Sequence, residues 1–165
     1  MAMKNILLAL MITIGWIVTQ PTNIAYATDV SGTCTGTWNP ANNPFRLVGT
    51  CTVPAGQTLT MPSGGQKVLQ TTLVNQGTVA WSADPFYLQA AAAVTNAAGA
   101  LWEVQGDLGV TSTNCGLPTF TNAGILRKSA GTGAFVVSSC VAMTNTGTVD
   151  IQTGSLMNSA GPTFV

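Results

Sequence analysis

Arg127 and Lys128 stand side by side between glycines in the stretch FTNAGILRKSAGTG, residues 120–133, of a chain that has no histidine. A basic pair of this kind can anchor an acidic ligand, or serve as the base beside carboxylates that act on a polysaccharide. The acidic candidates are Asp84, Glu103, Asp107 and Asp150. Without histidine, a conventional Ser-His-Asp triad is excluded. The glycine-rich SAGTG lacks the Lys-Ser/Thr and the following helix that a phosphate loop needs. The four cysteines match no zinc spacing. No cofactor or metal is expected.

The N-terminus reads MAMKNILLALMITIGWIVTQPTNIAYATDV. A single lysine, Lys4, precedes an apolar run from Ile6 to Val18, and Ala25-Tyr26-Ala27 supplies a small-x-small cleavage pattern. That layout is a secretory signal peptide over residues 1–27, with an apolar run too short for a comfortable membrane span. An uncleaved anchor is the weaker alternative. The expected mature chain, from Thr28, has the length of one domain and no membrane span. Its charges are Arg46, Lys67, Arg127 and Lys128 against Asp29, Asp84, Glu103, Asp107 and Asp150. With no basic patch to hold a phosphate backbone, no nucleic-acid partner is expected. Cys34, Cys51, Cys115 and Cys140 all follow the leader, which favours disulfides. Three pairings are open, and proximity favours Cys34–Cys51 and Cys115–Cys140, each worth about 3 kcal/mol by loop closure.

Four segments align: LVNQGTVAW from Leu73, VTNAAGALW from Val94, FTNAGILRK from Phe120 and MTNTGTVDI from Met143. Their landmarks are Asn75, Asn96, Asn122 and Asn145, followed by Gly77, Gly99, Gly124 and Gly147. The glycines recur at steps of 22, 25 and 23 residues. Seven residues after each comes another turn-former: Asp84, Gly106, Gly131 and Gly154. Short runs that are apolar at every second position are strands with one buried face. Asparagine and glycine tolerate the left-handed backbone of sharp corners. A period of this size holds two or three strands and their corners, which is one coil of a parallel β-solenoid. A β-sandwich would not preserve residue identity at a fixed offset through four units. The predicted fold is therefore all-β, a right-handed parallel β-helix of about four to six coils. Residues 28–70 are expected to form an N-terminal cap and first coil, and residues 71–165 the repeats.

Counting from the glycines predicts interior rows Leu73/Val94/Phe120/Met143 and Val79/Leu101/Leu126/Val149. The asparagines should hydrogen-bond along the stack. An outward row of Ala80, Trp102, Arg127 and Asp150 follows, with Trp81, Glu103, Lys128 and Ile151 beside it. On this register Arg127 pairs with Asp150 and Lys128 with Glu103, as ladder contacts rather than catalytic ones. Trp102 is left outside as the one candidate for stacking on a sugar ring. Trp81 is expected inside, and Trp38 under the Cys34–Cys51 loop.

The segment VPAGQTLTM, with Val53, Leu59 and Met61, resembles the start of the first coil in secreted bacterial β-helix proteins of the pectin-lyase-like type. Phe120, Asn122, Gly124, Arg127, Lys128, Ser129, Gly131, Thr132 and Gly133 are similar to the N-x-G-T units of adhesin-like β-helix proteins. This resemblance spans roughly residues 30–158. It implies the β-helix fold. The regular repeat, the export signal and the shortage of catalytic side chains point to a non-catalytic structural or adhesive element, secreted or at the cell surface. The alternatives are a polysaccharide lyase or hydrolase and a carbohydrate-binding module. Family members run for many coils to a cap or further domain, whereas this chain stops at GPTFV after four units. That implies truncation at the C-terminus or a second copy stacked end to end. A polysaccharide or surface glycan is the other expected partner.

Overall fold

The computed structural model describes residues 28–38 and 45–159; the expected leader and the last six residues lie outside them. The described residues form strands joined by corners, with no helix. Every strand pair is parallel, and the strands stack as a β-solenoid of about five turns.

A turn is built from three short strands, one on each of three faces. The first face carries β1 (Thr28–Thr33), β3 (Phe45–Val53), β6 (Thr72–Asn75), β9 (Ala93–Asn96), β12 (Thr119–Asn122) and β15 (Ala142–Asn145). The second carries β2 (Gly36–Thr37), β4 (Thr58–Met61), β7 (Thr78–Trp81), β10 (Leu101–Gln105), β13 (Ile125–Ala130) and β16 (Thr148–Ile151). The third carries β5 (Lys67–Leu69), β8 (Phe86–Leu88), β11 (Gly109–Thr111), β14 (Ala134–Val137) and β17 (Ser155–Asn158). Strand β3 bridges two faces: Phe45–Leu47 pair with β5, and Cys51–Val53 pair with β6.

Because the strands alternate, each face buries every second residue. The expected row Leu73, Val94, Phe120 and Met143 is aligned strand on strand and buried. The row on the second face departs from expectation by one residue. It reads Leu59, Val79, Trp102, Leu126, Val149, with Leu101 turned outward beside Thr78 and Ile125. Trp102 is 0% exposed and packs edge-on against Phe120 and stacked on Phe86, with ring centroids 5.3 and 6.2 Å away. Trp81, also buried, meets Phe86 and Phe135 edge to face. Trp38 is buried too.

Corner length explains the shift. Between the first and second faces, coils two, four and five turn in two residues, as at Gln76–Gly77. Coils one and three take four, Pro54–Gln57 and Ala97–Ala100. In the long corners the fourth amide donates to the first carbonyl, Gln57 to Pro54 and Ala100 to Ala97, with Gly56 and Gly99 at φ +75° and +81°. These are tight turns with glycine in the left-handed position. Gly99 is thus a turn glycine, whereas Gly77 and Gly124 do a different job. A Cβ on Gly77 would strike the carbonyls of Pro54 and Gln57, and one on Gly124 those of Ala97 and Ala100.

The asparagine ladder forms as expected. Asn75 Nδ2 donates to Asn96 Oδ1 at 2.8 Å, Asn96 to Asn122 at 2.7 Å, and Asn122 to Asn145 at 2.6 Å. Each of these amides also donates across the corner to the next coil, to the carbonyls of Leu101, Ile125 and Thr148. Asn75, Asn96 and Asn122 are fully buried. Both favoured disulfides, Cys34–Cys51 and Cys115–Cys140, are present, and each ties one coil to the next.

Asn122→Ala should strip partners from both neighbouring rungs and lower unfolding free energy by about 3 kcal/mol, at ~1–3 kcal/mol per buried polar group left unpaired. The outward neighbour change Thr121→Ala should stay within about 0.5 kcal/mol. Urea denaturation of the two variants checks the contrast.

Candidate functional site

The basic pair of the sequence divides between the two sides of β13. Arg127 faces outward in the row Thr60, Ala80, Glu103, Arg127, Asp150. Its Nε donates to Asp150 Oδ2 at 2.8 Å, both side chains about one-third exposed. Gln152 donates to the same carboxylate oxygen, and Gln105 donates to Glu103. The expected Arg127–Asp150 ladder pair is therefore present. An exposed pair of this kind contributes about 0–1 kcal/mol.

Lys128 faces the other way. Its row is Trp81, Val104, Lys128, Ile151, so Glu103 is the register neighbour of Arg127 and the expected Lys128–Glu103 pair does not form. The Lys128 side chain is 1% exposed. Its aliphatic stem lies in the core, while Nζ reaches the corner between the second and third faces. There it donates to the carbonyls of Ala130 (2.6 Å), Gly131 (3.1 Å) and Gly106 (3.3 Å), and to Asp107 Oδ1 at 2.9 Å. Asp107 belongs to the coil before and also accepts the Gly133 amide. Gly131 and Gly133 leave the room this needs, since a Cβ on either would run into the Asp107 carboxylate.

The same corner holds a second buried amine. Lys67, 2% exposed, donates to the Gly65 carbonyl and to Asp84 Oδ2, each at 3.2 Å. Asp84 sits at φ +62° and accepts the amides of Gly64 and Gly65 at 2.9 Å. Two lysines in interior rows are thus each closed off by an aspartate from a neighbouring coil. Nothing in the glycine repeat marked Lys67, and only strict alternation past Trp81 would have turned Lys128 inward.

The carboxylates respond to these partners. Asp84 is held below its ordinary range chiefly by the Gly65 amide, with Lys67 and Gly64 adding to it. Asp107 is lowered chiefly by Lys128 and then by the Gly133 amide. Lys67 is lowered by burial, against the opposing pull of Asp84.

Glu103 and Asp150 share a row with Arg127 between them, two rungs or about 9.6 Å apart at the strand spacing. Among the described residues, no three carboxylates or cysteines gather in a way that could hold a metal ion. The remaining sugar-stacking candidate, Trp102, is in the core, so its ring offers no face to a glycan. Its Nε1 has no acceptor among the described residues. No helix of the described residues is long and apolar enough to cross a membrane. No family model, curated protein or solved structure matches the chain.

A carboxylate lowered by folding stabilises the fold above its unfolded value, and that stability is lost as pH falls through the folded value. Thermal midpoints should therefore hold level from neutral pH to about 5 and fall below about 4. Asp84→Asn should flatten that acid limb, as circular-dichroism melts across pH will show.

Proposed function

We propose that the chain is an exported, non-catalytic β-solenoid, a structural or adhesive element of a secreted or cell-surface bacterial protein. The observation that carries this reading is where the charges go. Lys67, Lys128 and Arg127 each engage a carboxylate on a neighbouring coil, Asp84, Asp107 and Asp150. Side chains that a polysaccharide-cleaving site would draw on are spent on holding coils together. Two disulfides suit an oxidising compartment, and the leader-like N-terminus suits export. A polysaccharide or surface glycan, and a second copy stacked end to end, are the partners that go with this role.

One observation favours a second reading. Glu103 and Asp150 lie at a separation near the ~6.5–9.5 Å span that inverting glycosidases use. Their separation is a backbone spacing, and Arg127 stands between the two with its Nε bonded to the Asp150 carboxylate, which ties up one of the pair.

Incubation of the folded chain with pectate and alginate should release neither unsaturated products nor reducing ends. Turnover that disappears in Asp150→Ala would replace the structural reading with the enzymatic one.

A further inference from the structure

The outward side of the first face is unlike the other two. Its central row reads Thr33, Thr52, Val74, Thr95, Thr121, Thr144, aligned strand on strand. Five of these six are threonine, and the sixth, valine, has the same shape. A flanking row alternates Thr72, Ala93, Thr119, Ala142. Every one of these side chains is half-buried or exposed. No described side chain or carbonyl takes the hydroxyl of any threonine in the central row.

High strand propensity alone would explain threonine on any of the three faces. The second face also shows outward threonines, Thr37 and Thr60 in one row and Thr58, Thr78 and Thr148 in the other, but there the rows are interrupted by charged or bulky apolar residues. The second face puts Glu103, Arg127 and Asp150 in the matching row. The third face shows Val68, Tyr87 and Thr111 in one row, and Val136 and Met157 in another. From β3 to β15 the first face also runs without a register break, whereas β10 and β13 slip after Val104.

The result is a rectangular grid, with about 4.8 Å between strands and about 6.6 Å between alternate residues along a strand. Hexagonal ice repeats its surface oxygens on nearly the same grid. A threonine hydroxyl can take the place of one lattice water, while the methyl group fills the gap beside it without imposing a competing hydration shell. A charge would order water off the lattice, and the two rows carry none. The asparagine ladder runs along the inner edge of this face and holds its spacing constant.

We infer that the first face is an ice-binding surface, whose ligand is crystalline water. This goes beyond the scaffold role above. A scaffold needs the ladder and the core, whereas binding ice needs the outward threonines.

The test is ice recrystallisation inhibition and thermal hysteresis by the full chain, expressed from its first codon into an oxidising compartment. Both should be present and should fall at least fivefold in Thr95→Lys/Thr121→Lys. The second-face pair Thr60→Lys/Thr78→Lys should match the parent. If the first-face lysine pair does not fold by circular dichroism, Thr121→Val keeps the strand shape, removes one hydroxyl and should still lower activity. The proposal is overturned if the folded parent leaves ice growth unchanged. Equal loss from both lysine pairs would overturn it as well. So would a sedimentation shift showing that the first-face change breaks a dimer without touching ice growth.

Discussion

Coil-to-coil register at the asparagine corner is the constraint on which the other features rest. A parallel solenoid gains little from sequence-local hydrogen bonds, which are confined to a few corners such as Gln57 to Pro54, because its strand pairs join residues some twenty positions apart. The stack therefore needs a device that penalises slippage, and the buried amides of Asn75, Asn96 and Asn122 supply it. Each donates to the next asparagine and to a carbonyl of the next coil. A one-residue slip would bury these groups unpaired while turning an interior row outward. The glycines of the short corners serve the same registry by letting one corner nest beneath the carbonyls of its neighbour.

The opposite corner solves a different problem. Interior rows of the second and third faces contain Lys128 and Lys67, which should be costly in a core. Both are affordable because the corner is rich in outward-bent carbonyls, and because Asp107 and Asp84 arrive from adjacent coils. Neutral residues could fill the same volume, and paired buried charges often add little net stability. What the lysines add is a bond between coils at a corner that lacks an asparagine ladder. Stability in such a stack is close to a sum of nearest-neighbour terms, so each interface needs its own tie.

Much of this was legible in the residues. Recurrence of Asn, Gly and alternating apolar positions specified the parallel solenoid, the interior row from Leu73 to Met143 and the ladder. Proximity sufficed for the disulfides because each joins neighbouring coils. Trp102 was misplaced because the count began at Gly99, a left-handed turn glycine, as if it matched the nesting glycines Gly77 and Gly124. Counting from the asparagines would have kept the parity, since a two-residue insertion preserves the side of the strand. Coil one offered the template: Val53-Pro54-Ala55-Gly56-Gln57 turns as Asn96-Ala97-Ala98-Gly99-Ala100 does. Lys128 was misread for another reason. A lysine's charge argues for water, and the carbonyls that satisfy its amine come from Gly106, Ala130 and Gly131, whose convergence no linear spacing displays.

Once inner rows and corners fix the spacing, the outer rows are largely released from folding, apart from surface ties such as Arg127–Asp150. Substitutions there leave ladder, core and disulfides untouched, so the three faces can diverge in chemistry while sharing one frame. They have done so: charges gather on the second, bulky apolar groups on the third, and threonine on the first. Strand propensity accounts for scattered threonines such as Thr58, Thr78 and Thr148 on the second face, but not for a charge-free row of five threonines and a valine on the first. That row, evenly spaced by strands paired without a register break from β3 to β15, points instead to a ligand that is itself periodic. Soluble glycans present no lattice of that kind. Ice repeats in two directions at intervals close to those that stacked strands impose.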